Sequence, residues 1–136
     1  MATTTSATAT AKTQATTKER GDAAEDAALA HLQDAGLLLV ARNYRTPGRG
    51  GGEIDLIVRD PRDGTLVFVE VRQRASGSHG GAGGSITGVK QRRIVFAARH
   101  YLMRLRTEPP PCRFDVVLVE GARIEWLQAA FDAGTA

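Results

Sequence analysis

Gly52-Glu53-Ile54-Asp55-Leu56-Ile57-Val58 and, after a short polar turn, Leu66-Val67-Phe68-Val69-Glu70-Val71-Arg72 form the stretch on which the fold of this 136-residue chain turns. Val, Ile and Phe dominate both runs, and Asp60, Pro61, Asp63 and Gly64 between them are turn residues, so the two read as antiparallel strands. Pairing Arg59 with Leu66 sets the register. Ile54, Leu56 and Val58 then oppose Val71, Val69 and Val67 on one apolar face, as a period of two requires. On the other face Ile57 meets Phe68, and Asp55 lies opposite Glu70. Directly opposed side chains sit roughly 5 Å apart. Two carboxylates there repel by on the order of 3 kcal/mol at an effective dielectric of about 20. The offset is a proton on one acid, a bridging cationic side chain, or a hard divalent cation between the oxygens. Arg72 follows Glu70 by two positions, so the same face collects two acids and one fixed cation.

Outward from this hairpin, Lys18 to Ala35 reads as a helix with Ala24, Ala27, Ala28, Leu32 and Ala35 at three and four residue spacing, and Gly36 marks its end. Glu25 precedes Leu29 and Leu32 by four and seven, which tilts it toward the sheet. It reads either as a functional acid or as part of a capping box, Asp22-x-x-Glu25, on a helix that starts later. Leu37 to Ala41 is the first strand. Arg42, Asn43, Tyr44 and Arg45 end it, and Arg49 follows in a Gly-rich turn. An Arg-Asn-x-Arg run suits sugar-phosphate contacts and equally a solvated strand end. Gly50-Gly51-Gly52 supplies flexibility and is not a Walker loop, because no Gly-Lys-Ser/Thr follows.

After Arg72 and Arg74, the segment from Ser76 to Gly84 is too glycine-rich to hold one conformation unaided, and it reads as a loop that orders on substrate. His79 within it either relays protons or is incidental. Thr87 or Ser85 caps a second helix, on which Ile94, Ala97, Ala98, Tyr101, Leu102 and Leu105 form an apolar stripe. Lys90, Arg92, Arg93 and Arg99 lie early on that helix, whose N-terminal end itself attracts anions. Lys90 is open to two readings, a solvated first-turn lysine or a group of the site. Pro109-Pro110-Pro111 stops the helix. Arg113 to Val119 is a strand, with Asp115 in a structural role beside an Arg, and Ile124 and Trp126 mark a short last strand. The order α-β-β-β-α-β-β predicts an α/β fold, a mixed sheet flanked by helices.

Composition bounds the rest. The length fits one domain over residues 18–132, preceded by a Thr/Ala-rich tail, 1–17, that cannot build a core and is expected to be disordered. The tail has neither the Arg-rich amphipathic pattern of a transit peptide nor an apolar secretory segment. A lone Cys112 gives no internal disulfide and no Cys/His metal spacing, so a reducing compartment, the cytoplasm, is expected. No run of about 18 apolar residues is present, so no membrane span is expected. From Arg42 to Arg106 there are thirteen Lys and Arg residues against five Asp and Glu. A basic block around a carboxylate pair is the pattern expected where a polyanion approaches a cation site, and also that of an Arg-rich solvated surface.

At Gly52 to Ile57 (GEIDLI) and Phe68 to Arg72 (FVEVR) the chain resembles the YraN-like family of bacterial proteins. The resemblance runs from about Arg20 to Asp132 and takes in Arg42-Asn43-Tyr44-Arg45, Lys90-Gln91 and Cys112-Arg113-Phe114-Asp115-Val116-Val117. That family is similar in pattern to the PD-(D/E)xK nuclease superfamily and to archaeal Holliday-junction resolvases. The resemblance implies a restriction-endonuclease-like fold and Mg2+ or Mn2+ held by Asp55 and Glu70, with DNA as the partner. Arg72 takes the lysine place. It stays charged and steadies a phosphate, but does not readily give up a proton to activate water. By the same resemblance Glu25 corresponds to the first-helix acid of the resolvases, Lys90 supplies the labile proton that Arg72 cannot, and the protein is a homodimer.

Three readings follow. In the first, the chain is a metal-dependent endonuclease acting on branched or nicked DNA. Asp55, Glu70, Arg72, Glu25 and Lys90 are then catalytic, Glu53 orients ligands from outside, and Arg42, Asn43, Arg45, Arg49, Arg74, Lys90 and Arg93 bind nucleic acid. In the second it is a nucleic-acid-binding module that keeps the fold without efficient hydrolysis, which the arginine at position 72 favours. In the third the acids and Arg72 are a neutralised structural cluster.

Overall fold

A computed structural model describes residues 16–74 and 86–133. The tail up to residue 15, the glycine-rich loop with His79, and Ser85 lie outside the described residues. The elements are α1 (Thr17–Asp34), β1 (Leu38–Arg45), β2 (Glu53–Arg59), β3 (Leu66–Gln73), α2 (Gly88–Arg104), β4 (Cys112–Glu120) and β5 (Arg123–Phe131), in the order read from the sequence. The strands form one five-stranded sheet in chain order. All neighbours are antiparallel except β3 and β4, which run parallel from Leu66↔Cys112 to Gln73↔Val119. A parallel pair needs a crossover, and α2 is that crossover.

The β2–β3 register is the expected one, with Leu56 opposite Val69, Ile57 opposite Phe68, Val58 opposite Val67 and Arg59 opposite Leu66. Each face of the sheet carries one helix. On one face Ala24, Ala28 and Leu32 of α1 pack with Leu56, Val58, Val67, Val69, Val117 and Val119. On the other, Ile94, Ala97 and Ala98 of α2 pack with Ile57, Phe68, Phe114, Val116 and Leu118. Burying Leu32 or Ile94, each essentially solvent-free, contributes about 2 kcal/mol.

Ile54 departs from the expected pattern: it joins Ile57 on the α2 side, not Leu56 and Val58 on the α1 side. The cause is local. Asn43 has a φ of 54° and lies between Arg42, paired with Leu56, and Tyr44, paired with Ile54. This left-handed residue breaks the two-residue alternation, so Arg42 turns toward α1 while Tyr44 packs on the α2 side.

Several boundaries also differ from the sequence reading. Helix α1 starts at Thr17, with Thr16 and Glu19 forming the capping box, so Asp22-x-x-Glu25 is not the cap and the last two residues of the expected tail belong to the helix end. Thr87 caps α2. Strand β1 continues through Arg45. Strand β5 runs for nine residues, because Ala129, at a φ of 52°, allows an irregularity that carries the pairing on to Phe131 opposite Phe114. Asp115 is fully buried, as the structural reading requires. It accepts hydrogen bonds from Arg113 Nε (3.0 Å), Trp126 Nε1 (2.8 Å) and the Ala129 amide (2.9 Å).

The glycines at the head of β2 have a different task from the flexibility expected of them. A Cβ on Gly52 would overlap the Arg93 carbonyl oxygen and crowd the Ala97 methyl, and one on Gly51 would overlap the Thr46 hydroxyl. The bareness of Gly52 lets α2 lie directly on the start of β2, and that of Gly51 lets the loop close on Thr46. Gly52→Ala is therefore expected to lower stability by about 1–3 kcal/mol through overpacking, measured as a shift in the urea midpoint. A midpoint equal to the parent's would show that the helix has room to retreat.

Candidate active site

The cleft between α2 and the head of β2 has a volume of about 380 Å3, and Asp55, Glu70, Glu53, Lys90, Arg45, Arg93 and Thr46 are among its lining residues. Both hairpin acids thus reach one cavity, although the strand pairing does not carry them there. The β2–β3 ladder ends at Leu56 and Val69. Beyond it an Asp55 carboxylate oxygen accepts the Val71 amide hydrogen at 2.8 Å, so the side chain replaces the bond that the parting strands no longer make. Glu70 is 6% exposed, and Lys90 Nζ lies 3.1 Å from its Oε2. The first turn of α2 therefore delivers a cation to one of the two acids. Among the described residues no Lys or Arg pairs with Asp55.

Burial raises the Asp55 carboxyl from an ordinary 3.8 to about 7. Burial is the largest cause in that net rise; the charge of Glu70, a side-chain hydrogen bond to Glu70 and the charge of Glu53 share in it, while the Val71 amide pulls the other way. Glu25 is also raised, first by burial and then by the charge of Asp55, against the lowering pull of Arg42 and Asn43. Glu25 stands on α1 and is not among the cleft lining. Arg42 Nε stands 3.5 Å from Glu25 and its Nη2 stands 2.7 Å from Asp26.

The structure brings together Asp55, Glu70, Lys90, Arg45 and Arg93, with Arg49 in the loop between the lining residues Gly48 and Gly50. Arg45 also lies 3.4 Å from Glu53. Other residues grouped with the site by sequence stand apart from the cleft. Arg42 and Asn43 face Glu25. Arg72, two residues beyond Glu70, lies opposite Leu118 and outside the cleft lining. Arg74 pairs with Glu120 at 3.5 Å and lines a second, smaller cavity of about 280 Å3 with Arg123 and Glu125. Extended strand geometry carries Arg74 away from the acids, four residues beyond Glu70 at about 3.3 Å per residue.

Thr46 is a site residue that sequence reasoning passed over. Its hydroxyl accepts the Gly52 amide hydrogen at 2.7 Å and its own amide donates to the Gly52 carbonyl at 3.0 Å, which closes the loop that walls the cleft. The signal was a hydroxyl residue directly before Pro47-Gly48, a common place for side-chain to backbone turn bonds. The Tyr44 hydroxyl, 2.6 Å from His100 Nδ1 and 3.3 Å from Arg104 Nη1, is a polar contact between β1 and α2 that the sequence did not reveal.

Fold and cleft together define a class: a small α/β protein in which two strand carboxylates share a cavity bordered by basic side chains. The chain belongs to the uncharacterised protein family UPF0102, whose model it matches over residues 24–119, in agreement with the YraN-like resemblance. The UPF0102 protein of Albidiferax ferrireducens is 74% identical over 123 residues, covering 90% of this chain and 94% of that protein. That of Paracidovorax citrulli is 75% identical over 119 residues, covering 88% and 87%. That of Methylibium petroleiphilum is 67% identical over 121 residues, covering 87% and 98%. No helix among the described residues is long and apolar enough to cross a membrane.

The raised Asp55 carboxyl has a signed consequence for stability. Between its ordinary 3.8 and about 7 the folded chain holds a proton that the unfolded chain has released, so the contribution of this site is greatest at low pH and falls as pH rises through that window. Asp55→Asn, which keeps an acceptor for the Val71 amide and removes the charge, is expected to gain melting temperature relative to the parent between pH 5 and pH 8. Circular-dichroism melts at the two pH values measure the difference. A gap that does not change with pH would contradict the shared burial of the two acids.

Proposed function

We propose that this protein is a metal-dependent endonuclease that hydrolyses DNA phosphodiesters inside the cell, with Asp55 and Glu70 as the cation ligands. The observation that carries the reading is the convergence of these two carboxylates on a cleft lined by Arg45, Lys90 and Arg93. A hard dication suits the donor set. Asp55 is held protonated up to about pH 7 by burial and by Glu70, and a positive ion between the oxygens is what would let it ionise. Among the described residues no group of three acid, His or Cys side chains is placed to hold a metal. Two carboxylates, with the remaining positions left to water and phosphate oxygens, make up the usual Mg2+ arrangement rather than an all-protein cage, and Mn2+ takes the same oxygen donors. When bound, such a cation polarises a phosphodiester and makes water a better nucleophile.

The chain's own residues supply the rest. Arg45 and Arg93 draw a phosphate toward the acids and fix its position. Lys90, on the cleft wall against Glu70, holds a proton beside the reacting phosphate, a task for which an ammonium is better suited than a guanidinium. Glu25, on the opposite layer and itself raised by the charge of Asp55, takes a supporting place outside the cleft. Arg72, outside the cleft lining, serves from the flank, where it steadies charge on a bound backbone.

Cleavage of single-stranded, duplex, flap and four-way DNA, assayed with Mg2+ or Mn2+, tests the reading. Asp55→Asn and Glu70→Gln are each expected to lower the rate by about 100-fold or more, the scale of losing an electrostatic stabiliser of the transition state, while binding to the same DNA stays equal or tightens. Mutants that cut as fast as the parent at matched purity would overturn the proposal. Lys90→Ala is expected to slow cleavage by about ten-fold or more, with a smaller effect on binding.

A further inference from the structure

The outer face of α2 carries an apolar row that no other part of the described chain covers. Val89, Phe96 and Met103 fall seven residues apart, just under two helical turns, and so share one side of the helix. Their exposures are 58%, 53% and 82%. Arg92 and Arg99 are exposed on the same side, and among the described residues neither forms an ion pair. Phe96 stands four residues after Arg92 and three before Arg99, a spacing that places both guanidinium groups beside its ring.

Charge decides what lies on this row. Helix α2 has five Lys and Arg residues and no Asp or Glu. A second copy laid against it would bring like charges together at every turn. A polyanion meets no such penalty. The row is also continuous with the cleft, because Lys90 and Arg93 of the same helix line that cavity and Arg93 sits on the helical wheel between the row and the cavity. Phosphates gripped at Arg93 thus lead on to Arg92 and Arg99. The ring of Phe96 between those charges has an open face. In a duplex each base is covered above and below by its neighbours, so only an unpaired strand has base faces free to meet it.

We infer that the outer face of α2 is a docking track for an unpaired nucleic-acid strand, with Arg92 and Arg99 on the phosphates and Phe96 as the stacking platform for a base. The inference rests on the proposed nuclease reading in one respect: the strand on the track is the one whose phosphates reach Asp55 and Glu70. The substrate class is then a nucleic acid with a single-stranded segment beside the cutting position, such as a flap, an overhang or a gap.

The test is fluorescence anisotropy of the full chain, in EDTA, with three labelled DNAs: a single strand, a blunt duplex and a duplex carrying a single-stranded overhang. Phe96→Ala is expected to weaken the single strand and the overhang by at least about five-fold, as loss of one stacked base requires, and the blunt duplex by less than two-fold. Phe96→Trp is expected to restore binding. Arg92→Ala with Arg99→Ala is expected to flatten the salt dependence on the single strand. Phe96 is 53% exposed, so its variants are expected to fold, which their circular-dichroism spectra check. Single-strand binding by Phe96→Ala equal to the parent's overturns the inference, as does an equal loss on all three DNAs. So does a parent chain that binds none of them, or that binds anionic vesicles in preference to the single strand. A parent dimer that becomes monomeric in Phe96→Ala also overturns it, by assigning the row to a second copy. Because no divalent ion is present, the readout is separate from cleavage. Loss of stacking without any nuclease activity would retain the track and reject the enzyme, whereas cleavage with normal Phe96→Ala binding would do the reverse.

Discussion

Asp55 takes the amide hydrogen of Val71 where β2 parts from β3, and the placement of the whole cleft depends on that contact. Past Val69, β3 keeps its parallel partner β4 through Gln73 while its ladder with β2 has ended, and β2 continues along the edge strand β1 to Glu53. A parting pair of strands leaves backbone groups without partners, and a short acidic side chain satisfies one of them with no water inserted. Asp55 and Glu70 both line the cleft at this point. Had the ladder continued through this pair, two opposed carboxylates would have been fixed on one flat face, with no cavity between the strands and α2 to receive a ligand.

The same separation explains why the two helices take different parts. Helix α2 lies on the head of β2 because Gly52 has no side chain to hold it off, and this proximity puts Lys90 within reach of Glu70. Helix α1, on the opposite layer, carries Glu25, whose carboxyl feels the charge of Asp55 and is restrained by Arg42. One layer thus supplies a direct cation and the other an acid that stays outside the cleft, a division that follows from where the glycine is.

Much of this was legible in the residues. The β2–β3 register followed from alternation alone, since any slip would have exposed Val67 and Val69. The stripe Ile94, Ala97 and Ala98 fixed the core side of α2, and Asp115 takes the structural place beside an Arg that was expected of it, with Arg113 as the partner. The misplacements share a physical origin. Ile54 changed faces, and Arg42 turned to α1, because Asn43 adopts a left-handed backbone that strand periodicity does not encode. Arg74 was grouped with the acids by nearness in sequence, yet extended chain carries it to Glu120. Glycines 51 and 52 were read as flexible because sequence shows a missing side chain but not the Arg93 carbonyl and Thr46 hydroxyl that occupy its place.

Strand β1 has one further consequence. It is an outer strand, and Leu38, Leu39 and Val40 are 46%, 42% and 39% exposed, a composition that on a flat border would recruit foreign strands. The pairing shifts between Leu39 and Ala41, and four residues after Leu39 Asn43 bends the backbone again. Two interruptions within one eight-residue strand leave no straight run of amides and carbonyls long enough to zip to a neighbour. The irregularity beside Ile54 therefore also blunts the border of the sheet, which disfavours pairing with a foreign strand on this side.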